Sequence, residues 1–255
     1  MQSRDIYFSL SQEDSYIISA PHNHDGIEIY YITEGVCNYF IDGNTYTVSA
    51  GCTVVIPEGV IHRTNYGSKK HERYLLNIPA RFVNQNIVKE FSSSGYLFDT
   101  NNDPVPLDIF KKICKAYESY EKLSEELICC YASELLIHLT KIKNVYATEK
   151  DNSLIKQAID YIKDLYSSDI SLSAIAKLIS VTPEHLSRKF KSETGFGFNE
   201  YLTLIRLQHA EHMLKNEPGR SVGDIAYAVG FNDSNYFSKR FREIYGITPR
   251  DARRI

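Results

Sequence analysis

The sequence predicts a multidomain chain of α and β parts: an N-terminal β-barrel with trailing helices, then an all-α C-terminal double helix-turn-helix. Three observations predict it. Residues 1–80 alternate short β-forming runs with turn residues. Near Pro104 the apolar spacing becomes helical. From Ser153 onward the chain repeats itself at an interval of about 50 residues. A length of 255 residues, 43% hydrophobic and 24% charged, is enough for separate cores of roughly 100–150 residues each.

The first strands read as Ile27–Ile32, Cys37–Ile41, Thr45–Val48 and Thr53–Ile56. Between and after them lie the turn signals Glu34-Gly35, Asp42-Gly43-Asn44, Ala50-Gly51 and Pro57-Glu58-Gly59. Strands this short and evenly spaced predict a small antiparallel barrel or sandwich over residues 1–105. A helical segment follows over 106–145, from Leu107 to about Lys122 and from Ser124 to about Lys143. Its second helix carries Leu127, Tyr131, Leu135, Ile137 and Leu139, more apolar positions than one barrel face needs. The surplus assigns this segment to dimerisation or interdomain contact. Asn144–Asn152 is polar, charged and aperiodic, which makes it the linker to a third region, 153–255.

The repeat aligns Ile175-Ala176 with Ile225-Ala226, Leu186 to Lys191 with Phe237 to Arg242, and Gly195 with Gly246. In the first copy Leu172, Ile175, Ala176 and Ile179 share one helix face, at i, i+3, i+4 and i+7. Ser180-Val181-Thr182 turns the chain, and Thr182-Pro183 supplies an N-cap with proline at the first helical position. The next helix buries Leu186 and Phe190 and leaves Glu184, Ser187, Arg188 and Lys191 outside. The second copy places Val222, Ile225, Ala226 and Val229 inside, turns at Gly230-Phe231-Asn232-Asp233 and buries Phe237 and Phe241. Ser234, Asn235, Lys239 and Arg242 are left outside. Such a face suits the major groove: Arg and Lys donate to guanine, Asn pairs bidentately with adenine, and Ser serves several bases. A continuous helix over Asn199–Lys215, at ~1.5 Å per residue, makes a strut of about 25 Å between the copies. That length matches two recognition helices about 34 Å apart, one turn of B-DNA.

The segment from Ile225-Ala226 through Gly230-Phe231-Asn232-Asp233 and Tyr236 to Phe241, ending in Gly246-Ile247-Thr248-Pro249, resembles the DNA-binding domain of the AraC/XylS family. The likeness extends over nearly all of 153–255. It implies a promoter-binding transcription regulator whose bases are read from Glu184, Ser187, Arg188, Ser234, Asn235 and Lys239. Glu184 departs from the basic pattern, since a carboxylate accepts only from cytosine N4 and repels phosphate. Arg250, Arg253 and Arg254 form a basic tail that either touches phosphates or is solvated.

A second pattern, His22-x-His24-x3-Glu28-x6-Gly35 followed by Gly51-x5-Pro57-x-Gly59-x2-His62, resembles the two motifs of the cupin barrel. In metal-bearing cupins His22, His24, Glu28 and His62 would hold one ion with positions left open, the usual form of a catalytic site. In regulators resembling AraC the same barrel is a sensor for an organic effector. His22, His24, Glu28, Tyr30, Tyr39 and His62 then bind a small molecule, a sugar or related metabolite. Tyr30, Tyr31, Tyr39 and Tyr46 would stack on its flat face. On that reading no cofactor is required and the chain is not an enzyme. A metal-binding sensor, a cupin enzyme with attached DNA-binding motifs, and a ligand-free architectural protein are the alternatives. The resemblance also implies a homodimer that works with RNA polymerase.

The net charge of −3 hides an asymmetry of sign. Residues 151–255 carry 15 Lys+Arg against 13 Asp+Glu, whereas residues 1–150 carry 14 against 19. The positive half is the one with the repeat. The five cysteines are odd in number and lack CxxC spacing, which argues against a disulfide framework or a structural zinc site and predicts mostly buried thiols. No apolar run reaches the ~20 residues of a membrane span, and the N-terminus lacks an apolar signal core, so a cytoplasmic protein without membrane contact is expected.

Overall fold

The computed structural model describes residues 5–13, 22–23, 26–41, 44–66, 70–93, 97–119, 121–142 and 153–253. His24, the Asn144–Asn152 linker and Arg254 lie outside them. The chain divides into two compact units, 1–151 and 152–255. Among the described residues, no helix is long and apolar enough to cross a membrane.

The first unit contains β1 (Tyr7–Glu13), β2 (Ile27–Glu34), β3 (Val36–Ile41), β4 (Asn44–Ser49), β5 (Cys52–Ile56), β6 (His62–Tyr66), β7 (His71–Ile78) and β8 (Leu97–Asp99). Its helices are α1 (Gln85–Ser93), α2 (Pro104–Ser119) and α3 (Ser124–Leu139). The strands form an antiparallel five-stranded sheet, β1-β7-β2-β5-β8, and a three-stranded sheet, β4-β3-β6. Inward side chains of both sheets meet in one core: Tyr30, Ile32, Val54, Ile56 and Leu75 from the first, Cys37, Tyr39, Ile41, Val48 and Tyr66 from the second. The opposite face of the five-stranded sheet is also buried. Ile27, Ile29, Tyr31, Val55, Tyr74 and Leu76 pack there against Phe110, Ile113, Ile128, Leu135 and Leu136 of α2 and α3.

Burial on two faces explains why β2 reads as the nearly continuous run IEIYYI rather than an alternation. By contrast β4, with one face in solvent, alternates exposed and partly buried residues. The strand period of two separates the tyrosines that the sequence groups together. Tyr30 and Tyr39 enter the barrel, and Tyr46 packs on the same core from its edge. Tyr31 points the other way and stacks on Phe110, ring centres 6.0 Å apart, so it is removed from the ligand-facing set. Gly35, Gly51 and Gly59 all sit at positive φ, as their turns require.

The trailing helices differ from expectation in detail. α2 starts at Pro104, one turn earlier than Leu107, because Asp103 accepts from the Val105 amide at 3.0 Å and proline fits the first turn. α1 falls in a stretch where the sequence reading assigned no element. In α3 the buried face is Ile128, Ala132, Leu135, Leu136 and Leu139. Leu127 and Ile137 are 44% and 47% exposed, in keeping with an apolar surplus beyond what the barrel face covers. All five cysteines are free; Cys37 and Cys52 are buried, Cys114 and Cys129 are half-buried, and Cys130 is exposed, so burial is less general than expected.

The second unit is helical throughout: α4 (Leu154–Leu165), α5 (Leu172–Leu178), α6 (Pro183–Thr194), α7 (Phe198–Asn216), α8 (Val222–Ala228), α9 (Ser234–Tyr245) and α10 (Pro249–Ala252). Pairs α5–α6 and α8–α9 are the two helix-turn-helix copies, and α7 joins them. Its first half carries Tyr201, edge-on to Phe190 of the first copy with centres 5.5 Å apart. Its second half puts Leu207, Ala210 and Leu214 into a core with Ile225, Ala226, Phe237 and Phe241 of the second. An amphipathic helix has one buried stripe; α7 has two, because it serves two cores in succession.

Candidate functional sites

The duplicated architecture is duplicated in its hydrogen bonds. Ser171 caps α5 by accepting from the Ala174 amide at 3.2 Å, and Ser221 caps α8 by accepting from Asp224 at 3.0 Å. The Val181 amide donates to the Ala176 carbonyl at 2.9 Å, and fifty residues on the Phe231 amide donates to the Ala226 carbonyl at 2.9 Å. Between the bonded residues the chain reverses through left-handed φ, 59° at Ser180 and 92° at Gly230. Thr182 then caps α6 through the His185 amide, while Asp233 caps α9 through the amides of Asn235 and Tyr236 at 2.7 and 3.1 Å. Each recognition helix ends at a left-handed glycine, Gly195 or Gly246.

Burial of Leu186 and Phe190 turns Glu184, Ser187, Arg188 and Lys191 of α6 into solvent. Burial of Phe237 and Phe241 does the same for Asn235, Lys239 and Arg242 of α9, with Ser234 half-buried. Among the described residues no carboxylate pairs with Arg188, Lys191 or Arg242. Lys239 meets Glu243 only at 4.0 Å with 74% of its side chain exposed, a pairing that costs little to break. Glu184 lies in the first turn of α6, where a carboxylate complements the helix dipole. That is a sufficient structural reason for its presence. Arg253 is held within the fold: its guanidinium donates to the Arg220 carbonyl at 2.5 Å.

Sequence reasoning missed Arg206, on the middle of α7. Its Nε donates to the Tyr166 carbonyl at 2.7 Å and its Nη2 to the Ser168 carbonyl at 2.9 Å, just beyond the end of α4. Beside it Tyr166 stacks on His209, centres 3.9 Å apart and planes 3° from parallel. A Cβ on Gly230 would meet the same Nε and the carbonyls of Tyr166 and Ser167, each at 2.9 Å. The carbonyl end of α4, the connecting helix and the second copy's turn are thus fastened at one point. An arginine in a helix carries no sequence signal of such a role.

Inside the barrel the described part of the histidine–glutamate pattern converges. His22 and His62 exchange backbone hydrogen bonds at 3.0 and 2.9 Å, and their rings lie 4.3 Å apart. His62 is fully buried, with Nδ1 2.9 Å from the Val60 carbonyl and Nε2 2.9 Å from Glu28 Oε2. Nδ1 facing a carbonyl is the N–H tautomer there, which turns the lone pair of Nε2 toward the carboxylate. A cation shared between the two would be compatible with that orientation. Potential ligand atoms of His22, Glu28 and His62 all lie within 4.8 Å of one another. As a donor set they fit a borderline divalent metal. Tyr30 hydrogen-bonds Glu28 as well; burial and that carboxylate hold its hydroxyl well above the usual tyrosine range.

A second polar cluster occupies the same interior and includes residues the sequence analysis left out. His71 and Arg73 project inward from β7, in alternation with Leu75. The Arg73 guanidinium lies over the rings of Tyr30 and Tyr66, 5.3 and 5.4 Å from their centres. His71 stacks on Tyr66 at 4.0 Å. Burial raises the hydroxyl pKa values of Tyr39 and Tyr66 and pushes the Cys37 thiol up to about 12, so all three remain protonated. Among the described residues, Arg73 Nε and Nη1 and both ring nitrogens of His71 meet no well-formed hydrogen-bond partner, whereas the hydroxyls of Tyr39 and Tyr66 hydrogen-bond each other and the Cys37 thiol. Two cation–π contacts contribute on the order of 2 kcal/mol each when desolvated. Desolvating a charge costs several kcal/mol, and each orphaned donor about 1–3 more. The lining of the interior therefore suits a polar occupant better than an apolar one. Only the strand alternation of β7 marks these residues in sequence, and no motif flags them.

A ligand-receiving barrel joined to paired recognition helices defines a ligand-controlled transcription regulator that binds DNA. Residues 8–136 match the AraC-like ligand binding domain, and residues 175–255 match a helix-turn-helix domain. The chain belongs to the AraC family. The HTH-type transcriptional activator RhaS of Yersinia pestis is 28% identical over 246 residues, covering 91% of this chain and 88% of its own. Among solved structures, ToxT from Vibrio cholerae O395 aligns over 98% of this chain and 97% of its own at 14% identity and a TM-score of 0.42. The C-terminal domain of AraT, a response regulator from Geobacillus stearothermophilus, aligns over 42% of this chain and 88% of its own at 32% identity and a TM-score of 0.39.

Proposed function

We propose that this regulator reads promoter DNA with both recognition helices, through Glu184, Ser187, Arg188, Lys191, Ser234, Asn235, Lys239 and Arg242, under control of a small effector in the barrel. The observation that carries the reading is the matched pair of exposed basic and polar faces, one on each copy, mounted on a single connecting helix. His22, His24, Glu28, Tyr30, Tyr39 and His62 bind the effector, a sugar or related metabolite. Effector occupancy changes DNA binding only by favouring one arrangement of the chain over another. The similarity to RhaS supports activation, and with it an encounter with RNA polymerase in the cytoplasm. The exposed Leu127 and Ile137 on α3 support a homodimer formed on that face. Catalysis forms no part of the role.

Genome-wide mapping of bound sites tests the reading. A few discrete promoters are expected; uniform occupancy would identify an architectural protein instead. His62→Gln is expected to alter the effector response while operator binding by α6 and α9 persists, read as effector-dependent against effector-free DNA affinity. Equal loss of both would place His62 in general folding rather than in sensing. A metal-sensing alternative is favoured by the His22–Glu28–His62 cluster. Whole-metal analysis of purified protein separates the two, since the organic-effector reading expects less than one equivalent.

A further inference from the structure

We propose that the effector carries an anionic group, a carboxylate or phosphate, on a small hydroxylated skeleton, and that Arg73 receives it beside Tyr39, Tyr66 and His71. The inference rests on the reading of the barrel as the effector site and adds the ligand's charge.

Donors at this end of the interior outnumber the acceptors that meet them. Arg73 has donors only, and its Nε and Nη1 meet no acceptor among the described residues. Burial keeps the neighbouring Tyr39 and Tyr66 hydroxyls protonated, so they flank Arg73 as polar groups that set no negative charge against an anion. His71, 1% exposed, holds both ring nitrogens without a partner in the same cluster. Glu28, the carboxylate whose field reaches Arg73, is already engaged with Tyr30 and His62. A water molecule matches single donors but not the guanidinium's charge. A neutral sugar brings about as many donors as acceptors, whereas an oxyanion brings acceptors and the compensating charge together. At the other end of the stripe, Glu28, His22 and His62 are suited to hydroxyl groups, with Tyr30 between the two clusters. The ligand therefore bridges an anion-receiving end and a hydroxyl-receiving end.

Isothermal titration calorimetry on the full chain tests this with gluconate, galacturonate, glucose 6-phosphate, glucose and galactose. At least one anion is expected to bind about tenfold or more tightly than its neutral parent, the scale of one charge-assisted hydrogen bond. The carboxylate and phosphate arms identify which oxyanion the site takes. Arg73→Met is expected to erase the preference, and Tyr66→Phe to weaken it several-fold with an unchanged melting temperature. Should Arg73→Met fail to fold, Tyr66→Phe carries the test alone. Neutral sugars binding as tightly as their charged partners, or a preference that survives Arg73→Met, would overturn the inference and leave the barrel's receptor role standing. Binding of none of the five would overturn both.

Discussion

Gly230→Ala is expected to destabilise the C-terminal unit by about 2–5 kcal/mol. A non-glycine residue at left-handed φ costs roughly 1–2 kcal/mol, and Gly230 stands at 92°. Its new Cβ would lie 2.9 Å from Arg206 Nε and from the Tyr166 and Ser167 carbonyls, and overpacking of that kind costs about 1–3 kcal/mol more. Backbone carbonyls held by the Arg206 clamp do not step aside as a flexible side chain does. The first copy supplies the control. Ser180 occupies the equivalent turn at φ 59°, so Ser180→Gly is expected to stabilise by up to about 1 kcal/mol. Urea unfolding followed by helix signal measures both. A Gly230→Ala protein within about 0.5 kcal/mol of the parent would mean that the clamp is loose.

Removing one reading side chain from each recognition helix is the second large effect. Arg188→Ala and Lys239→Ala should each cost about 1–3 kcal/mol at the cognate operator. They sit on separate copies, so the double substitution should cost roughly the sum, about 2–6 kcal/mol. Fluorescence anisotropy on operator and scrambled duplexes at one fixed salt concentration measures it. Scrambled DNA should lose much less than the operator, because base reading is what has been removed. If either single substitution leaves operator affinity unchanged, that helix does not read its groove. Glu184→Ala should do little by comparison, since its place in the first turn of α6 already accounts for it.

The repeat made the C-terminal unit legible. Periodicity, caps and turn chemistry all agree there, and Thr182-Pro183, Phe190 and Phe241 occupy the positions their types require. Less of the barrel was readable. His22, Glu28 and His62 were found by spacing and do converge, but Arg73 and His71 belong to no motif. They matter because β7 turns them inward beside Tyr66, and that depends on pairing with β1 and β2 across long sequence separations. In α3, Leu127 and Ile137 are the exposed part of the apolar surplus that the sequence shows. Apolar spacing marks which positions could be buried, but which of them are buried depends on the angle at which the helix meets the sheet. Tyr31 was misplaced because neighbouring residues of a strand with two buried faces look alike in sequence.

That strand has a consequence for how the chain finds its fold. In β2, Glu28, Tyr30 and Ile32 enter the barrel, whereas Ile27, Ile29 and Tyr31 enter the helix layer. A slip of one residue against β5 or β7 would exchange the two sets. It would drive the Glu28 carboxylate into the mainly apolar layer against Phe110 and Ile113 and take it away from His62. An ordinary surface strand tolerates such an error by exposing a few apolar groups. Here the cost falls on both faces at once, so β2 proofreads its own register.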